Sequence, residues 1–173
     1  RAIRQAIAEA GITAADIRAV SATSMREAIV AYDRGGREIW ACAHVDSRAV
    51  SEVRDLKRDF PGLESELYAQ SGQTFALGAL PRLLWLKRNL PDVYASIDRI
   101  SMLSDWVLAR LSGVIASDPS NAGTTGLYSL AKRDWLPEAM AKAGMRDDIF
   151  PESVEPGTVI GGVTEKAADE TGL

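Results

Sequence analysis

Arg26 and Glu27, side by side in SATSMREAIV (residues 21–30), are the first side chains of this 173-residue chain whose types suggest chemistry. A guanidinium fork donates to hydroxyl or carbonyl oxygens and a carboxylate accepts from hydroxyls, so the two together suit a polyol. Neighbours on a strand point to opposite faces, so both can reach one ligand only if the chain bends at Met25 to Glu27. An ordinary ion pair with separate partners is the commoner use of such charges and stays open. Further on, AHVDSRA puts His44 and Asp46 two apart, on one face of a predicted strand, with Arg48 opening a helix. They could form a polar wall or an Asp-oriented histidine base, while Asp46 serves equally as the cap of a helix beginning near Ser47. With one histidine and one cysteine, Cys42, a metal site would need scattered carboxylates, and none is expected. SDPSNAGTTG, Ser117 to Gly126, is dense in hydroxyls and small residues: either a loop whose amides could meet an anion or a plain turn between strands. Neither G-x-x-x-x-G-K-[ST] nor G-x-G-x-x-G occurs.

The elements that must carry these groups follow from apolar spacing and punctuation. Ile3, Ala6, Ile7 and Ala10 with Gly11 behind them predict an opening helix. DIRAVSATS, EAIVAYD and REIWACAHV predict three short strands, the last two joined by a turn at DRGG. Helices are expected over SRAVSEVRDLKRDF, LESELYAQSG and LPRLLWLKRNL, the last with Pro81 in its first turn. RISMLS predicts a strand, followed by a helix capped by Ser104, with Val107 and Leu111 on one face and Gly113 at its exit. Two short strands are expected around the Ser117–Gly126 loop, and then a helix capped by Asp134. The end of the chain predicts a short strand at GTVIGG and a helix running from a Thr164 cap to Gly172. Trp40, Trp85, Trp106 and Trp135 lie in apolar patterns and are expected in the core. Both ends read as cut, the first inside a helix and the last where another strand would follow.

Composition narrows the class. Hydrophobic residues make up 46% of the chain, enough for one mixed α/β domain with its own core. A net charge of −4 without a basic cluster argues against nucleic acid as partner. The single cysteine suits a reducing cytoplasm, and no apolar run reaches membrane-spanning length. A small molecule remains the expected ligand, and a homodimer stays open.

Four segments, in order, resemble the amino-terminal domain of the FGGY family of carbohydrate kinases. SATSMREAIV sits where glycerol kinases carry N-Q-R-E-T, and HVDSRA is similar to the W-x-D-x-R segment. SGQTFALGALPRLLWLK is similar to T-G-x-P...P-K-L-L-W, and DWVLARLSGVIASDPSNAGTTGLYSL to D-Y-L-x-x-x-L-T-G...D-x-S-x-A-S-G-T. Within the family the stretches S-x-x-S-M-R-E, IWACA-x-VD-x-RA and DPSNAGTTGL look most like bacterial autoinducer-2 kinases. His44 departs from the tryptophan common at its position, and Arg82 from the usual lysine. The resemblance implies an actin-like, ribonuclease-H-like fold, truncated at both ends, and transfer of the γ-phosphoryl of ATP, with Mg2+, to a hydroxyl of a small polyol. It implies that Met25, Arg26, Glu27, His44 and Asp46 form one wall of the substrate pocket. The phosphate loop would precede Arg1 and the base aspartate would follow Leu173, so the ATP-binding domain is absent and this piece alone is expected to be inactive. Autoinducer-2 (dihydroxypentanedione) is the expected substrate. A xylulose, ribulose or glycerol kinase is the alternative within the family, and a noncatalytic binding module with the same fold is the alternative outside it.

Overall fold

An uninterrupted apolar run, IVAY, forms the central strand of the computed structural model, which describes residues 1–173. This strand, β1 (Ile29–Tyr32), is buried at all four positions. It pairs antiparallel with β2 (Glu38–Cys42) on one side and β3 (Arg99–Met102) on the other, giving the order β2-β1-β3. Ile29 lies opposite both Cys42 and Met102. A strand covered on both faces needs apolar residues at successive positions rather than alternation, which is what this segment supplies. The turn into β2 is built by Asp33, whose Oδ1 accepts from the Gly35 and Arg37 amides at 2.9 and 3.0 Å.

Three helices cross before β3: α2 (Val50–Asp59), α3 (Leu63–Ser71) and α4 (Ala79–Asn89), with the short α5 (Pro91–Ser96) behind them. Helix α4 is the most deeply set. Leu80, Leu83 and Leu86, three apart and so on one stripe, are almost wholly buried. They join Ile29, Ala31 and Ile100 of the sheet in one core. Helix α6 (Leu103–Ser112) follows β3 directly, and then come β4 (Ala116–Ser117), α7 (Pro119–Thr124), β5 (Tyr128–Ser129) and β6 (Asp134–Trp135). Helix α8 (Pro137–Lys142) closes the core with Met140, and β7 (Glu152–Ser153) pairs parallel with β4. The opening helix α1 (Ala2–Ala10) ends on a left-handed Gly11 as expected. The last helix, α9 (Glu165–Thr171), has the expected Thr164 side chain accepting from the Ala167 amide and a left-handed Gly172. No helix is long and apolar enough to cross a membrane.

Several local expectations fail, each for a physical reason. DIRAVSATS forms no strand: after a single helical turn at Ala14–Asp16 its backbone runs on with no ladder, because no strand lies beside it to take its hydrogen bonds. GTVIGG likewise stays unpaired. Ser104 does not cap α6. The helix starts two residues earlier, at Leu103 with Met102 in the cap position, and Asp105 reaches back to accept from the Met102 amide at 3.1 Å. Asp134 is taken into β6 against β5, and α8 begins at Pro137, which fits the first helical position because it lacks an amide hydrogen. The Ser117–Gly126 loop contains a helix, α7, nucleated by Asp118. The tryptophans stand half-buried at the core margin. Trp135, for example, stacks on Phe150 at 4.5 Å and meets Tyr128 edge-on at 5.2 Å.

Candidate functional site

Glu27 ends an extended segment and turns the chain into β1 with φ at 66°, a left-handed conformation that L-residues avoid. The bend therefore falls where both charges could share a ligand. It leaves the two side chains unequal: that of Glu27 is 9% exposed and that of Arg26 73%. Their 3.9 Å separation is a loose ion pair, and an exposed guanidinium contributes little through it. The Glu27 carboxylate has a second neighbour, Gln73, whose amide nitrogen lies 3.4 Å from Glu27 Oε1 and 3.3 Å from the Thr124 carbonyl. Gln73 sits between α3 and α4, so three segments meet at its side-chain amide. Met25 stands exposed beside them.

His44 is not on a strand. Strand β2 ends at Cys42, and the next residues form a turn in which the Asp46 amide donates to the Ala43 carbonyl at 3.1 Å. His44 and Asp46 thus do not share a strand face. The His44 ring is half-buried, and its backbone carbonyl, not its ring, holds the structural contact. Asp46 does not cap α2, which starts at Val50. Its carboxylate takes the Arg48 amide at 3.0 Å and the Nε and one terminal nitrogen of the Arg48 guanidinium at 2.7–2.9 Å. Those bonds from Arg48, with a lesser contribution from the charge of Arg82, hold Asp46 below the usual carboxylate range. Arg48 in turn lies over the Trp85 ring at 4.7 Å and within 6.0 Å of Trp40, so the turn is clamped to α4 and β2.

The two segments are brought together by a residue outside the expected set. Arg82, on the first turn of α4 and only 4% exposed, donates through one terminal nitrogen to the Glu27 carbonyl and through the other to the His44 carbonyl, the latter at 2.9 Å. The sequence signal for it was its departure from lysine in PRLLWLK; Gln73 had none beyond lying in the SGQT segment. A cavity of about 280 Å³ opens on the far side of this junction, between α2 and α4. Asp46, Arg82, Arg54 and Lys57 line it, but Met25, Arg26, Glu27 and His44 do not. The five expected residues therefore do not line this cavity together.

In the Ser117–Gly126 segment, left open between an anion-meeting loop and a plain turn, the free amides are taken by its own carboxylate. Asp118 accepts from the Ser120 and Asn121 amides at 2.7 and 3.1 Å, so those donors face inward. Asn121 then ties Asp118 to Asp105 at 2.8 Å and to Ser104 at 2.7 Å, and Ser117 donates to Asp105 at 2.7 Å. Burial pushes the Asp105 carboxyl above its ordinary value despite these bonds. No group of three His, Cys, Asp or Glu side chains is arranged to hold a metal ion.

The whole chain, residues 1–173, matches the model of the FGGY family of carbohydrate kinases, N-terminal domain. Among curated proteins it is 54% identical over 173 residues to an autoinducer-2 kinase of Klebsiella pneumoniae and 53% identical over 172 residues to one of Yersinia enterocolitica. Each alignment covers 99% of this chain and 32% of the relative, so the chain spans about a third of their length. Among solved structures, gluconate kinase from Lactobacillus acidophilus superposes with a TM-score of 0.87 at 20% identity, over 99% of this chain and 34% of that one. Xylulose kinase from Rhodospirillum rubrum gives 0.86 at 24% identity, over 99% and 35%. At these identities the likeness concerns the fold, which is the actin-like, ribonuclease-H-like one.

Proposed function

The chain belongs to the FGGY family of carbohydrate kinases, as their N-terminal domain, and from that premise we propose that it is one wall of the acceptor pocket of an ATP-dependent kinase. The acceptor is a hydroxyl of a small, linear, carbohydrate-like molecule, and autoinducer-2 is the member of that class favoured by the 53–54% identity to kinases of that name. The observation that carries the reading is the Glu27 bend: a carboxylate steadied by Gln73, on a left-handed residue, next to an exposed guanidinium. In phosphoryl transfer the protein mainly positions groups and neutralises charge. Glu27 would accept from acceptor hydroxyls and Arg26 would donate to acceptor oxygens, while Met25 flanks them. The His44 ring, where most relatives in the family carry tryptophan, makes this part of the wall more polar, and Asp46, kept ionised by Arg48, faces the same turn.

Within residues 1–173 no three His, Cys, Asp or Glu side chains are grouped to hold a metal ion. In this reading the metal, the ATP phosphates and the base that takes the hydroxyl proton belong to parts of the full-length protein outside this domain, and its place is the cytoplasm, where ATP is available. The test is a full-length kinase assay offering dihydroxypentanedione, xylulose, ribulose and glycerol in parallel. A preference for dihydroxypentanedione is expected; a preference for xylulose would replace the substrate and keep the kinase, and no transfer to any of the four would sink both.

A further inference from the structure

The two turns that carry the acceptor-facing residues leave the sheet just beyond the last β1–β2 pair, Ile29 opposite Cys42, and past that pair one buried side chain bridges them. Arg82 spends its two terminal nitrogens on the Glu27 and His44 carbonyls. It has no carboxylate partner, although only 4% of it is exposed. A buried guanidinium with no carboxylate in ion-pair contact is unfavourable for stability, so it needs another reason to be there. The geometry supplies one. Glu27 is held at φ 66°, a conformation its own side chain disfavours, and the Arg82 bond lands on the carbonyl of that residue. The second bond lands in the turn after β2, so one planar fork continues the tie between the two chains beyond the last strand pair and fixes a strained bend against that turn.

We propose that Arg82 is a positioning residue that locks the Glu27 and His44 turns into one unit and thereby sets acceptor specificity, an inference that rests on the function proposed above. Lysine is the usual residue at this place in the family pattern, yet a compact ammonium cannot spread two nitrogens across two separated carbonyls. Arg82 is anchored on α4 between the fully buried Leu80 and Leu83, so the fork is fixed to the core rather than to a loop. Its charge also reaches Asp46 and helps keep that carboxylate ionised.

The experiment compares full-length wild type with Arg82→Lys and Arg82→Met by two readouts, amide hydrogen exchange and steady-state kinetics. Both variants should speed exchange in residues 24–28 and 43–47 together while leaving α4 and β3 as they were. Misplacement on this scale should raise the acceptor KM about ten- to a hundredfold in Arg82→Lys while the ATP KM stays within about twofold. Exchange that quickens in one turn only, or evenly over the chain, overturns the coupling, and so does an Arg82→Lys enzyme with the wild-type acceptor KM. If Arg82→Met fails to fold, Arg82→Lys keeps its charge and alone decides. A wild-type protein that phosphorylates no acceptor overturns the proposed function instead, and the exchange data still decide whether Arg82 couples the turns.

Discussion

Glu27 at φ 66° carries backbone strain of about 1–2 kcal/mol, which glycine would relieve. Glycine would also add about 0.5–1 kcal/mol of unfolded-chain entropy, so the two effects nearly offset. Glu27→Gly should therefore fold with a stability within about 1 kcal/mol of wild type, while the full-length enzyme loses acceptor affinity. Thermal unfolding together with acceptor KM checks this. A large fall in Tm with an unchanged KM would return the Arg26–Glu27 pair to a purely structural role. Arg26→Ala should raise the acceptor KM with almost no change in Tm, since its side chain is 73% exposed. Asp46 makes a pH prediction of definite sign. Its folded-state pKa is lowered by Arg48, so its contribution to stability is present above its ordinary value of 3.8 and disappears as pH falls through the lower folded value. Urea midpoints measured down that acid range should fall less steeply in Asp46→Asn than in wild type.

The elements that hold the site depend on polar junctions as much as on apolar packing. The junction of α6, β4 and α7 is built on Asp105, which takes the Met102 amide, the Ser117 hydroxyl and the Asn121 amide group. Asp105→Ala would orphan the buried Met102 amide and Ser117 hydroxyl, while Asn121 keeps Ser104 and Asp118, and should cost about 2–5 kcal/mol, seen as a lower urea midpoint. The pH effect runs opposite to that of Asp46. Burial raises the Asp105 pKa in the folded state, so the unfolded chain ionises first and stability falls as pH rises from 3.8 through the raised value. Removing the ionisable group in Asp105→Asn should flatten that slope. On the apolar side, Leu83 lies wholly buried in the core, directly after Arg82 on α4. Leu83→Ala should cost about 2–5 kcal/mol and, by loosening α4, disturb the fork as well.

On the scale of the whole protein, the function proposed above has this domain supply position while the transfer itself is supplied elsewhere. Residues 1–173 alone should show no phosphoryl transfer from ATP to any of the four acceptors, whereas the full-length protein should; transfer by the domain alone would contradict the division of labour. Strand β1, the α4 stripe and the glycine ends of α1 and α9 were legible in the sequence because local spacing and backbone chirality decide them. The family was legible too, because four short motifs lay in register along the chain. DIRAVSATS was misread because a strand exists only when a neighbour takes its hydrogen bonds, and a single segment does not say whether one is there. In the Ser117–Gly126 segment, left open between an anion-meeting loop and a plain turn, the helix was missed because its Asp118 cap takes the amides that a loop would leave free. At the site, the sequence by itself determined which residues could meet a hydroxyl-rich ligand: Arg26, Glu27, His44 and Asp46 carry the right donors and acceptors whatever the fold. Only the tertiary structure decided that the chain bends at Glu27, that Asp46 is committed to Arg48, and that Arg82 joins the two turns across 55 and 38 positions of sequence. Those are contacts between backbone carbonyls and a distant side chain, and a carbonyl has the same identity at every residue, so no residue type could announce them.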